Sequence, residues 1–136
     1  MRYLALIDGS EGEYGIVFPD LPGCAAMGGT MDEVMASASE ALGDWINTVE
    51  ASGNAIPAAR TLETFRADPE VAEALREGST LTAITFVRST GKPVRANLSL
   101  DRGVVIAIDA EAERRGVTRS AMVEIIARQQ LPEMAC

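Results

Sequence analysis

Three polar side chains, Arg95, Asn97 and Ser99, alternate with Ala96, Leu98 and Leu100. A period of two is the spacing of an extended strand, and it sends the polar set to one face and the apolar set to the other. Arginine and asparagine each present two hydrogen-bonding groups side by side, matching flat targets such as guanine O6/N7 and adenine N6/N7. A second chemically capable set lies near the start of the chain: Asp8, Glu11, Glu13 and Asp20. Clustered carboxylates can hold divalent metals for phosphodiester cleavage. These four surround a predicted hairpin, where acidic residues serve turn conformation. No catalytic residue, metal ligand or cofactor is therefore assigned. The chain has no histidine, which removes the commonest general base and metal ligand. Cys24 and Cys136 form neither a metal-ligand spacing nor a disulfide framework, and Cys24 reads as a small buried apolar residue.

The elements that must position these residues follow from patterning. Residues 2–8 and 14–18 are predicted strands joined through Asp8–Glu13, with Pro19 ending the second because proline cannot donate to a ladder. Residues 24–28 are read as a third strand. Thr30 and Glu33 match a capping box. The apolar residues Val34, Ala38, Leu42, Trp45, Ile46 and Val49 then recur at helical spacing, and the helix stops near Gly53. Ile56-Pro57 opens a connector. Asp68-Pro69 starts a short helix that Gly78 ends, and residues 80–87 alternate as a further strand. Ser89-Thr90-Gly91-Lys92-Pro93 is turn-rich and reads as a linker. Beyond it the strand 94–100 precedes two helices, one capped by Asp101 and ended by Gly116, the other capped by Thr118 with Pro132 past its end.

The 136 residues carry a net charge of −8, unevenly. Residues 1–85 hold 4 basic and 14 acidic side chains, whereas residues 86–136 hold 8 basic and 6 acidic. Halves of opposite sign suggest two domains with different partners, the acidic one suited to a basic protein. No apolar run approaches the roughly 18 residues that span a bilayer, so no membrane partner is expected. The first residues are too short and too soon acidic for a signal peptide, and a cytoplasmic location is expected. A lone strand leaves its backbone groups unpaired, so the strand 94–100 calls for a second copy of the chain and an obligate homodimer.

The C-terminal segment, Arg95-Ala96-Asn97-Leu98-Ser99-Leu100-Asp101 followed by Gly116-Val117-Thr118-Arg119-Ser120-Ala121, resembles a ribbon-helix-helix DNA-binding domain. The N-terminal segment resembles the HicB antitoxin domain. It does so through Tyr14-Gly15-Ile16-Val17-Phe18-Pro19-Asp20-Leu21-Pro22-Gly23-Cys24, then Gly28-Gly29-Thr30, Glu33 and the long helix. The resemblance implies an α+β fold: a partial ribonuclease-H-like helix-on-sheet domain over residues 1–88, a linker at 89–93, and a dimerising ribbon-helix-helix over 94–136.

It also implies a function. Antitoxins of this kind bind a small HicA-like toxin, a ribonuclease that cleaves messenger RNA, and repress their own operon. They act by covering the toxin and are not enzymes. The implied partners are a HicA-like toxin, operator DNA and a second copy of the chain, with pairing of two dimers left open. A paired ribbon fits the major groove, which assigns Arg95, Asn97 and Ser99 to base edges. Ribbon-helix-helix domains clamp the DNA backbone with the start of the second helix, which assigns Thr118, Arg119 and Ser120 to phosphate. The alternatives are a transcription regulator whose acidic domain senses a small ligand, and a metal-dependent nuclease using the hairpin carboxylates.

Overall fold

The computed structural model describes residues 1–87 and 91–131. Four strands form one antiparallel sheet: β1 (Arg2–Ser10), β2 (Glu13–Val17), β3 (Ala25–Gly28) and β4 (Thr80–Thr85), in the order β3-β2-β1-β4. The hairpin is tighter than the sequence suggests. Its strands run on to pair Ser10 with Glu13, leaving a two-residue turn at Glu11 and Gly12.

Alternation gives the sheet two different faces. Tyr3, Ala5, Ile7, Ile16 and Ile84 point to one side and pack on helix α1 (Met31–Ala51), against Val34, Ala38, Leu42 and Ile46. Leu4, Leu6 and Leu81 point to the other side, beneath α2 (Leu62–Ala67) and α3 (Pro69–Arg76), where Phe65 and Val71 complete a second core. Fully burying one such side chain stabilises by about 1.5–3 kcal/mol, so each layer is held by several residues of this kind. The capping box at α1 is real but displaced. Thr30 Oγ1 accepts from Glu33 N at 3.1 Å, while the Glu33 carboxylate reaches back to Gly29 N at 2.9 Å rather than to Thr30. Gly28 lets β3 approach this cap, since a Cβ there would stand 2.5 Å from Val34 N. The α2 helix falls inside the stretch read from sequence as a connector. Its six residues are too few to show a period, and its start is marked by Thr61, whose hydroxyl accepts from Thr64 N.

Residues 94–100 join no strand among the described residues, and each is exposed. Helices α4 (Arg102–Arg115) and α5 (Arg119–Gln130) follow, separated by Gly116 at φ 69° in the left-handed region where glycine is favoured. Asp101 and Thr118 cap them as expected. The end of α5 is seated on the sheet domain. Thr85 Oγ1 donates to the Gln129 carbonyl, and Arg128 Nη1 donates to the Val87 carbonyl at 2.9 Å. Among the described residues, no helix is long and apolar enough to cross a membrane. The first part of the linker read at 89–93 (residues 89 and 90), Pro132 and Cys136 lie outside the described residues.

Candidate functional site

The residues assigned to base edges share the exposed segment before α4. Arg95, Asn97 and Ser99 are all open to solvent, and so are the apolar residues between and beside them. Val94 is 87% exposed, Leu98 65% and Leu100 45%. The apolar series continues onto the helices with Val104, Ile106 and Ile126, also exposed. Only Ala112 and Met122 of the helical pair are buried. Two helices with so small a core do not fold alone, and the uncovered apolar series is contiguous in sequence with the segment that lacks a strand partner.

At the start of α5 the geometry refines the reading. Thr118 Oγ1 accepts from Ala121 N at 3.1 Å, an ordinary N-cap. The Arg119 guanidinium faces Asp109 of α4, with Nε and Nη2 each 2.7 Å from a carboxylate oxygen. The Arg119 hydrogen bond holds the Asp109 carboxyl below its usual range. The first backbone N–H groups of α5, at Arg119 and Ser120, have no acceptor within the helix and point where an anion would meet the positive end of the dipole. Arg114 and Arg115 both bond to Glu111, whose carboxyl they hold down to about 2. Much of the basic charge of the helical pair is thus matched internally. On the expectation that the start of α5 meets a DNA phosphate, Asp109→Asn, which releases Arg119, should tighten operator binding several-fold at low salt. The slope of log K against log salt should steepen by about one per chain. Gel shifts across a salt series check this, and an unchanged slope places Arg119 away from the phosphates.

The carboxylates near the chain start do other work. The Asp20 side chain is only 3% exposed. It accepts from Arg60 N at 2.9 Å and from Arg60 Nε at 2.5 Å. Arg60 Nη1 bonds to Asp68 Oδ2 at 2.9 Å and its guanidinium lies 5.3 Å from the Phe65 ring centre. Asp68 also caps α3 through Glu70 N, and the Arg60 hydrogen bond keeps its carboxyl below the usual range. Asp20 therefore clamps the loop after β2 to the chain that enters α2. Sequence reasoning missed Arg60, since nothing local marks a partner 40 residues away. Among the described residues, no group of three or more His, Cys, Asp or Glu is set to hold a metal. Cys24 is buried and its thiol is pushed up to about 11 by that burial, so it is unreactive at neutral pH.

The acidic bias is more concentrated than the whole-domain count shows. Residues 3–59 contain no lysine or arginine and nine carboxylates. They include β2, β3 and all of α1.

A sheet layered between helices is followed by an exposed segment that joins no strand among the described residues and by two capped helices, and the two parts of the chain carry net charges of opposite sign. The chain matches the family model described as HicB-like antitoxin of bacterial toxin-antitoxin system over residues 3–127. It belongs to the HicB-like antitoxin family. Among solved structures it is similar to the Burkholderia pseudomallei antitoxin HicB, with 28% identity, a TM-score of 0.51, and 93% of this chain and 96% of that chain covered. It is also similar to antitoxin HicB3, with 25% identity, a TM-score of 0.54, and 98% and 100% covered. A third similar chain comes from a HicA3 and HicB3 toxin-antitoxin complex, with 26% identity, a TM-score of 0.51, and 61% and 94% covered. A comparison with curated proteins found no match.

Proposed function

We propose that this chain neutralises a HicA-like, mRNA-cleaving toxin through its N-terminal sheet domain and represses its own operon as a ribbon-helix-helix dimer. The observation that carries the reading is the exposed segment Val94–Leu100. It alternates polar and apolar side chains, has no strand partner among the described residues, and runs into a helical pair with an uncovered apolar face. A second copy paired antiparallel through this segment covers that face and turns Arg95, Asn97 and Ser99 outward as one ribbon. The linker at 89–93 then joins this module to the domain of residues 1–88, which we read as a partial ribonuclease-H-like domain.

The toxin reading is supported by the family and by the similar antitoxin found in complex with HicA3. It is also supported by the residues 3–59, which suit a basic partner. The chain acts by binding, without catalysis and without a cofactor, and its site of action is the cytoplasm. Co-expression with the small open reading frame beside its gene tests the reading. The two proteins should co-purify and growth should be restored. A neighbour that remains toxic and elutes alone would refute it.

A further inference from the structure

Strand β3 is an edge of the sheet, paired with β2 on one side only. Its register fixes which backbone groups face outward. Phe18 N donates to the Cys24 carbonyl, so Phe18 and Cys24 form a hydrogen-bonded pair. The same ladder then places Ala26 opposite Ile16 and Gly28 opposite Tyr14 as the next bonded pairs. The N–H and C=O of Ala25 and Met27 therefore point away from β2. Edges of this kind are normally blunted by lysine, proline or an inward charge, and Ala25–Gly28 contains none.

Two surfaces flank that edge. On the face away from α1, Met27 is 73% exposed and Val17 47%, with Gly15, Ala25 and the Asp8 carboxylate over Gly15 beside them, so α2 and α3 leave these two side chains uncovered. On the other face a groove of about 350 Å³ runs between the start of β3 and α1, lined by Cys24, Ala41, Asp44, Trp45 and Val49. Trp45 is fixed there by its indole N–H, which donates to the Pro22 carbonyl at 3.1 Å. Helix α1 carries five carboxylates and no basic residue. A second copy of this chain would bring like charges together at this edge, whereas a basic strand would not.

We propose that β3 accepts an added strand from the basic protein that this chain neutralises. The added strand bonds to the outward groups of Ala25 and Met27, covers Met27 and Val17, and places cationic side chains by Asp44. This is strand addition, in which backbone bonds give affinity and side-chain pockets give selectivity. The proposal rests on the toxin reading and supplies the docking surface for it.

The test uses the full chain, free and in complex with the protein encoded by the adjacent small open reading frame. In the free chain, the Ala25 and Met27 amides should exchange with solvent quickly. In the complex their exchange should slow by a factor on the order of a hundred. Met27→Pro removes one outward donor without touching the β2 ladder, and should weaken the complex by about tenfold with operator binding unchanged. Asp44→Lys should weaken it further as salt is lowered. A tight complex in which both amides exchange as fast as in the free chain overturns the proposal, whatever the variants do. Protection of both amides in the chain without its partner makes the edge a contact between copies and also overturns it. No binding by the unaltered chain refutes the toxin reading itself.

Discussion

Arg95→Ala combined with Asn97→Ala should abolish operator recognition while leaving toxin neutralisation intact. Each bidentate contact to a base edge contributes about 1–3 kcal/mol of discrimination. The double substitution removes two contacts per chain and four per dimer, so the low end of the range predicts a loss of about 10³-fold in affinity for the operator. Both residues are exposed and neither belongs to a core, so the melting temperature should not move. Non-specific binding, which depends on phosphate contacts, should fall less. A gel shift on the promoter fragment reads the first effect and growth rescue reads the second. An operator shift equal to that of the unaltered chain would mean that the opposite face of the segment looks outward.

The largest effect on stability is expected at Asp20. Its carboxylate is almost fully buried and holds both the backbone N–H and the guanidinium of Arg60. Removing one partner of a buried pair costs about 3–5 kcal/mol; Arg60 keeps some contact with water, so Asp20→Ala should cost about 2–3 kcal/mol. The melting temperature should fall by on the order of 10 °C. Asp20→Asn keeps an acceptor for Arg60 N and should lose less. Thermal melts of the two variants check the order. A melt for Asp20→Ala matching the unaltered chain would show that the clamp contributes nothing.

What could be read from the sequence was what is encoded locally. Thr30 with Glu33, Asp68 with Pro69, Asp101, Gly116 and Thr118 each mark a boundary by their own chemistry, and each boundary lies where it was expected. The α+β class follows from those boundaries. What escaped depends on partners distant in the chain. The sheet order, with β4 against β1 across more than seventy residues, has no local sign. Nor do the Arg60–Asp20 clamp, the seat of α5 on Thr85, or the Arg119–Asp109 pair that occupies a side chain assigned to phosphate. The segment Val94–Leu100 is a different case. Its alternation is plain in the sequence, yet one copy of the chain has nothing to pair it with.

Pairing through that segment sets the mass of the protein in solution. Light scattering on the purified full chain, over a range of concentrations, gives the mass in solution. The expected mass is twice the 14.4 kDa of one chain, or a multiple of that dimer, down to the lowest concentration at which the operator is bound. A species of 14.4 kDa that still shifts the operator would contradict that pairing.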